Sequence, residues 1–590
     1  MTSYLFLVVN FLTYAPFLFP SSSGIMIGDI REVDLVIIWI EDTPREDDAN
    51  RCFINSIRLY HHVVCFNSTR RDDTWGIALL ADFKEHVRFL DTTLRDGEQT
   101  PGVSLSPQKK LEIALALDRL GVEVVEAGFA AVSKGEARGV KLIADEGLSA
   151  EVCSATRGVK SDIDVAIDCG VDSVNVIVPT SDLHIEQKLG KTREEVLDMM
   201  ADAVTHAKDH GVIVELSTED GSRTDRDYLK EVIRRGLEVG LDRTSLCDTV
   251  GILTPERSYE WFADMRETFP DAFFSVHCHD DFGLGVSNSI AALMAGADQV
   301  HATVNGVGER AGNAALEEIA VTLKVLYQVD HSVKMELLYE TSKLVSKLMG
   351  MPVQANKAIV GANAFAHESG IHTHAILRNP LTYEAIDPEL VGAARSIVSG
   401  KHAGSAGLGK SLGDLGLEPS EDEFRQILNR VKGVGDEGES VTDADLLDIA
   451  RDVLGLEGAP PLTLDEFIVV TGNKITPTAS VKLQLNGSSF MEAATGNGPV
   501  DATLNAVSKA INPKYRAYLD RYNVEAITGG TDALVNVGVR LKMGDRMVTS
   551  SGVDEDIVMA SINAFLRGMN VLLTSESEPS RRWSKEKGEQ

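Results

Sequence analysis

The stretch VRFLDTTLRDGEQ, residues 87–99, decides the reading of this chain. A short apolar run, Val87 to Asp91, is followed at once by ionisable and glycine residues, as at a β-strand that ends in a functional loop. Eight residues further on a helix begins. Ser106 is placed to cap it, Pro107 suits its first turn, Ile113, Leu117 and Leu120 share one face, and Gly121 stops it. The same strand-then-helix pattern recurs downstream. Candidate strands are Val87–Asp91, Val122–Ala127, Ala150–Ser154, Ser173–Pro179, Val212–Ser217, Arg243–Asp248, Phe273–His279 and Gln299–Asn305. Eight βα units in about 230 residues predict an α/β protein built on a (β/α)8 TIM barrel. A doubly wound open sheet is the competing architecture, but no Gly-rich dinucleotide fingerprint follows the first strand.

Beyond the barrel the pattern changes. Residues 330–455 read as mainly helical, with Leu337–Leu348 a good amphipathic helix and Val431–Ser440, rich in Gly and acid, a linker or exposed loop. Phe467–Val470, Ser480–Leu485, Val524–Ile527 and Ala533–Leu541 read as strands. Strands followed by GNGPVDA (496–502) and a helix recur as strands followed by GVDED (552–556) and a helix. Two such β-strand-plus-helix repeats predict a small C-terminal α+β domain. The turn at Gly496, Gly498 and Ala502 is either plain scaffold or an effector site that uses backbone N–H groups. The expected division is 1–85 extension, 86–345 barrel, 346–460 helical subdomains and linker, 461–574 regulatory domain, and 575–590 disordered tail.

Composition narrows the function. Of 590 residues 43% are hydrophobic, enough for several soluble domains. A net charge of −32 argues against a nucleic-acid-binding surface. The acid is spread along the chain, which favours a halophilic protein with a carboxylate-rich surface over an ordinary acidic enzyme. Six scattered cysteines without a CxxC pair fit a reducing cytoplasm rather than a disulfide framework. Tyr4–Phe19 is apolar but short for a membrane span, contains Asn10 and Thr13, and follows no basic residue, so no membrane partner is expected. Residues 1–85 read as a poorly ordered extension or the product of a start codon placed too far upstream.

Polar and ionisable residues collect at the C-terminal ends of the proposed strands, where barrel active sites sit. Arg95 and Asp96 follow strand one, although an LRDG turn is also a common surface ion pair. In His277-Cys278-His279 the two imidazoles share a face and Cys278 lies opposite, either as metal ligands or as polar residues at a strand end. Strand eight leads into a glycine-rich loop ending at Asn313. Read together, Asp96, His277, His279 and Asn313 offer O, N, N and O ligands to one divalent cation, of the Zn, Mn, Mg or Co type. Such an ion can chelate a 2-oxo acid and polarise its carbonyl, and Arg95 can stabilise the alkoxide that develops.

DTTLRDGEQTPGVSLSP (91–107), EAGF (126–129), HCHDDFGLGVSNS (277–289) and NGVGERAGNAALEE (305–318) resemble signatures of the 2-isopropylmalate synthase family, which includes citramalate and homocitrate synthases. The resemblance runs from about residue 87 to 573, and GNKITPTASVKL (472–483) with GNGPVDA resembles that family's leucine-type regulatory domain. It implies Asp96, His277, His279 and Asn313 as metal ligands and Arg95 at the substrate carbonyl oxygen. It further implies His184, Ser217 and Thr249 as contacts to the 2-oxo acid, and Glu219 as a catalytic carboxylate. His372 and Tyr383, in SGIHTHAIL (369–377) and NPLTYEAIDP (379–388), match residues implicated in acetyl-CoA activation. A homodimer is implied, because in that fold the subdomain of one protomer covers the partner's barrel.

The implied reaction is a Claisen condensation of acetyl-CoA with a 2-oxo acid. EAGF and HESGIHTH (367–374) lean toward 2-isopropylmalate synthase, with 2-oxoisovalerate as substrate and leucine as effector. VPTS (178–181) resembles the citramalate type, which uses pyruvate and would answer to isoleucine. Homocitrate synthase is third, and a lyase is disfavoured by the C-terminal repeats. A catalytically inactive amino-acid sensor is the alternative from another class. Three departures from the family pattern stand out: Asp280 where Asn is common, Ala375 where Gly is common, and Gly404–Gly407 after GKH without the usual basic residue.

Overall fold

In the computed structural model the chain is described at residues 83–397, 404–456, 459–511, 515, 517–527, 533–544 and 546–576, with residues 64–65 and 78–79 ahead of them. The apolar stretch at 4–19, the GKH segment at 400–402 and the tail from 577 lie outside the described residues. The chain forms two compact units, one containing residues 83–364 and 388–393, the other residues 365–387 and 394–576.

The first unit is the expected barrel. Its strands are β1 (Arg88–Asp91), β2 (Val124–Gly128), β3 (Glu151–Arg157), β4 (Ser173–Pro179), β5 (Ile213–Glu219), β6 (Arg243–Asp248), β7 (Phe274–Cys278) and β8 (Gln299–Ala302). All neighbours are parallel, and β8 pairs with β1 to close the ring. The strands are buried along nearly their whole length, as a sheet covered by helices outside and side chains inside requires. The first helix, Pro107–Leu120, starts and stops as predicted. Ser106 Oγ accepts from Lys109 N at 3.3 Å, and Gly121 ends the helix in the left-handed conformation. Strand eight is shorter than expected: Val304–Gly306 is a 3-10 turn with Asn305 at φ 65, so the chain leaves the sheet early to enter the glycine loop.

The barrel interior is unusually polar for this architecture. Glu126, Asn175, Glu215, Gln299 and His301 are all fully or almost fully buried. Glu215 accepts from His301 Nε2 at 2.8 Å and lies 3.4 Å from Arg243 Nε. Burial alone would raise the Glu215 pKa, but His301 and Arg243 outweigh it and hold the carboxyl down at about 2.

The second unit ends in the predicted repeats. Each is a three-stranded antiparallel sheet with a helix: β9 (Leu462–Gly472), β10 (Ile475–Leu485) and β11 (Ser488–Thr495) before Pro499–Ala510, then β12 (Tyr518–Ala526), β13 (Val535–Met543) and β14 (Arg546–Asp554) before Ile557–Glu576. Strands β11 and β14 were not expected. In β11 only Ala494 packs on the core, so the sequence carries little apolar alternation there. The repeats share a packing device: a Cβ at Gly496 would lie 2.2 Å from Ala502 N, and one at Gly552 would lie 2.4 Å from Ala560 O. Strand and helix touch backbone to backbone in both.

Two boundaries differ from expectation. Val431–Ser440 is not a linker, because the helix Glu421–Asp436 runs through its first half. A capping box at Ser420 and Glu423 starts that helix, and Ile427, Val431 and Gly435 form its buried stripe. Gly433 and Gly435 are tolerated inside it because the stripe is packed. The last helix also continues two residues into the expected tail, to Glu576. Its segment Ile557–Thr574 is long and apolar enough to cross a membrane, but 67% of it is buried within its own unit, as a core helix is.

Candidate metal and active site at the barrel mouth

The loop after β1 is held by its own backbone. Arg95 N and Gly97 N both donate to Thr92 O, at 3.1 and 3.0 Å. Glu98 accepts from Leu105 N at 2.8 Å and from Lys110 Nζ at 2.6 Å, which ties the loop to the first helix. This turn points Arg95 and Asp96 into the mouth of the barrel.

The other side of the mouth is a seam between β7 and the loop after β8. His279 and Asn313 form an antiparallel bridge. Asp280 N donates to Gly312 O at 2.9 Å and Ala314 N to Cys278 O at 3.0 Å. The glycines make this approach possible: a Cβ on Gly312, at φ 98, would sit 2.0 Å from Gly306 O. Asn313 is thereby placed beside the histidine pair.

Asp96, His277 and His279 converge as expected, each buried. His277 Nε2 and His279 Nε2 are 3.4 Å apart and lie 3.3 and 3.7 Å from Asp96 Oδ2. Ligand atoms about 2.1 Å from a common cation stand roughly 3.0–3.4 Å apart, so the spacing matches one shared ion. Two further observations support the fit. Asn313 Oδ1 is buried with no partner, while its Nδ2 donates to Val307 O at 3.3 Å and so fixes the amide's orientation. The other ring nitrogen of His279, Nδ1, lies 3.2 Å from Gly312 O, the arrangement that leaves Nε2 to ligate.

The electrostatics agree. Burial lowers the pKa of both imidazoles, His279 to about 4, which keeps the rings neutral and able to coordinate. For Asp96, burial is outweighed by Arg95 and the two histidines, which hold its carboxyl far below the ordinary range. One anionic and one neutral oxygen with two neutral nitrogens is a donor set for a hard or borderline divalent cation. Asp164, His206 and His210 also form a three-residue group, on outer helices and largely exposed.

Arg95 is fixed from behind. Its Nε donates to Glu126 Oε2 at 2.7 Å and its Nη1 lies 3.1 Å from Asp96 Oδ2. Glu126 is fully buried and also accepts from Asn175 Nδ2 at 2.9 Å and Thr92 Oγ1 at 2.5 Å. Burial works against the charge on Arg95, but Glu126 and Asp96 overcome it and keep the guanidinium charged. Sequence reading missed Glu126 as a site residue, although it stands in the quoted EAGF. It also missed the clamp in which Arg310 Nε and Nη2 bind Asp281 at 2.8 Å each, bracing the glycine loop. Asp280 is engaged at a helix start, where its Oδ1 accepts from Gly285 N at 2.7 Å.

On the β4–β5 side, His184 Nδ1 is 3.5 Å from Glu219 Oε1. Ser217 lies near the end of β5, and Thr249 follows β6, its Oγ1 accepting from Asp220 N at 2.8 Å. Asp96, Arg95, His184, Ser217, Glu219, Thr249, His277, His279 and Asn313 therefore all lie at the same end of the barrel. His372 and Tyr383 belong to the other unit, where their rings stack with centroids 4.1 Å apart. Both are exposed, as are Ile371 and Leu381 beside them. Nearby His367 serves a structural pair: its Nε2 lies 3.1 Å from Glu384 Oε1, which Arg395 also holds.

The turn expected to meet an effector makes hydrogen bonds within its own repeat. Gly496 N donates to Pro477 O at 3.0 Å and Ala502 N to Gly498 O at 2.9 Å, and the first helical residue is Pro499, which has no N–H. The N–H groups of Gly496 and Ala502 are thus occupied by the fold, and Gly498 is a plain N-cap without a side chain to donate or accept.

Comparison with known proteins agrees with this architecture. Residues 86–345 match the HMGL-like family, 359–439 the homocitrate synthase post-HMGL domain-like family, and 440–573 the LeuA allosteric (dimerisation) domain. The (R)-citramalate synthase CimA of Methanocaldococcus jannaschii is 53% identical over 489 residues, covering 82% of this chain and 99% of that one. A protein of Methanothermobacter thermautotrophicus, 55% identical over 490 residues and covering 83% of this chain and 98% of its own, carries the same name with a provisional qualifier. A "Probable 2-isopropylmalate synthase" of Methanopyrus kandleri is 52% identical over 492 residues, covering 83% of this chain and 98% of its own. With a closed parallel barrel, its ligand cluster and near-complete coverage of such relatives, the chain belongs to the family of 2-isopropylmalate and citramalate synthases.

Proposed function

We propose that this protein is an (R)-citramalate synthase, which condenses acetyl-CoA with pyruvate and releases CoA. The observation that carries the choice is the 53% identity, over 99% of its length, to the M. jannaschii protein of that name. Sequence motifs alone leaned toward 2-oxoisovalerate as the oxo acid. That remains the second reading, supported by the M. kandleri relative. The substrates differ by an isopropyl for a methyl group, a change worth only about 1–3 kcal/mol of discrimination per methylene in such a pocket.

Asp96 Oδ2, the Nε2 atoms of His277 and His279, and Asn313 Oδ1 would hold the divalent cation. Bound there, it supplies a Lewis acid for the keto oxygen of the 2-oxo acid. Arg95, fixed by Glu126, presents fixed positive charge where the carbonyl oxygen gains negative charge. Ser217, Thr249 and His184 orient the oxo acid. His372, with Tyr383 stacked on it, takes a proton from the acetyl methyl group, and Glu219 serves at the barrel mouth as a carboxylate that moves a proton through water. The enolate carbon then bonds to the keto carbon, and water cleaves the thioester to free CoA and the product. The match to a dimerisation domain supports a homodimer, in which a partner can cover the site. Feedback by isoleucine, or by leucine under the second reading, is assigned to the C-terminal domain, away from the N–H groups of Gly496 and Ala502. Cys153, Cys169, Cys247 and Cys278 are free and buried, which suits a reducing cytoplasm.

The test is CoA release from acetyl-CoA with pyruvate, 2-oxoisovalerate or 2-oxoglutarate, with added divalent metal, in low and in molar KCl. The highest kcat/KM is expected with pyruvate. A higher value with 2-oxoisovalerate transfers the assignment to the second reading, and no release with any oxo acid refutes both. Activity that requires molar KCl would support a halophilic protein.

A further inference from the structure

The loop after β4 carries a charged residue that the motifs did not single out. Asp182–His184 is a short helical turn capped by Ser181, and it runs directly into one π-helical turn, Ile185–Leu189, closed by Gly190 at φ 62. Widened turns of this kind recur at functional sites. This one points Lys188 at the end of β5. Lys188 Nζ lies 2.7 and 2.8 Å from the two carboxylate oxygens of Glu219. The Glu219 main chain is equally fixed: its carbonyl accepts from Thr180 N at 2.9 Å and from Thr180 Oγ1 at 3.1 Å. On the remaining side stands His184, whose Nδ1 is buried without a hydrogen-bond partner. The next residue, Asp220, does not compete for Lys188. It is fully buried and engaged by Ser181 and, at 2.7 Å, by Arg223 Nε.

We propose that Lys188 is a positioning residue for Glu219, holding both oxygens so that the carboxylate keeps one orientation at the barrel mouth. The inference rests on the role given to Glu219 above. Two features separate Lys188 from a structural ion pair. Its side chain is 55% exposed, so exposed surface pairing of this kind contributes little to stability. The partner is 17% exposed and is the one carboxylate of this loop cluster assigned to proton transfer. A positioned base loses rate when its orientation is released, because a displacement of about 1 Å can cost on the order of 100-fold.

The experiment is a double-mutant cycle on the full-length, metal-loaded protein, with Lys188→Met, Glu219→Gln and the double variant, read by kcat and KM for pyruvate and acetyl-CoA. Lys188→Met is expected to lower kcat roughly 10- to 100-fold with both KM values and the melting temperature unchanged. Lys188→Arg should recover part of the loss. In the Glu219→Gln background, adding Lys188→Met should change kcat by less than about 2-fold, since its partner is already lost. Multiplicative losses in the double variant overturn the proposal while leaving the synthase reading intact. So does a raised KM for pyruvate at constant kcat, which would make Lys188 a substrate contact. Failure of the unmodified protein to release CoA with any oxo acid refutes the synthase reading, and this proposal with it.

Discussion

The barrel and the C-terminal sheets treat their apolar residues in opposite ways. Barrel strands β2, β6 and β7 are buried at every position, and the polar groups among them are paired or gathered into the site. In the C-terminal repeats one face of each sheet packs on its helix, with Ala479, Val481 and Leu483 buried in the first and Val537, Val539 and Leu541 in the second. The other face of the first sheet leaves Ile468, Val470 and Met491 exposed at 58, 50 and 67%. A closed ring has no uncovered face, whereas an open sheet with a helix on one side has one left over. The candidate metal cluster sits in the first arrangement, and the match to a dimerisation domain falls on the second.

His277→Ala attacks the barrel side of that contrast most directly. Turnover should fall by at least about 10³-fold and stoichiometric metal binding should be lost, while circular dichroism and effector binding persist. Turnover that survives removes His277 from the ligand set. The corresponding insult to the repeats is Leu541→Ala, at a fully buried position. It should destabilise the second unit by about 2–5 kcal/mol, seen as a lower denaturant midpoint for that unit's unfolding, without altering kcat. Acid sharpens the contrast from the barrel side. Glu215 ionises in the folded barrel with a pKa of about 2 against an ordinary 4.5, so its contribution is complete above pH 4.5 and lost as pH falls through about 2. Glu215→Gln should flatten that part of the stability-pH curve, and an unchanged slope would show that the pair with His301 is not its source. The smallest effect on folding is expected from Met491→Lys. Monomer stability should move by less than about 0.5 kcal/mol, yet sedimentation should show a shift from dimer toward monomer. A dimer of unchanged affinity would place the association surface elsewhere.

Much of the barrel was legible because each strand ended in a change of residue type. Ser173–Pro179 and Arg243–Asp248 were located to the residue. The convergence of Asp96, His277 and His279 was legible because the spacing of the two histidines fixes their common face, and the glycines around Asn313 mark a forced backbone path. What escaped were long-range polar contacts. Nothing local to Glu126 announces that it will hold Arg95, 31 positions away, and Lys188 reads as an ordinary surface lysine until the loop is folded. The helix through Val431–Asp436 was missed for a different reason. Three glycines and three acids in ten residues suggest a loop, and only the packing of Ile427 and Val431 overrides that preference. At the GNGPVDA turn, a glycine needed for strand-to-helix contact looks the same in sequence as one needed for a ligand.

The candidate ligands come from the two ends of the ring: Asp96 follows the first strand, while His277, His279 and Asn313 lie on or beyond the seventh. Strand eight closes onto strand one directly beneath them. Until the ribosome has delivered residue 313 and the ring has shut, the four groups are not neighbours and a half-made barrel cannot capture the ion. An ion held there therefore acts as a rivet across the closing joint. It strengthens the finished ring by mass action, about 2.7 kcal/mol at a hundredfold excess over its dissociation constant, and gives nothing to the unfinished one.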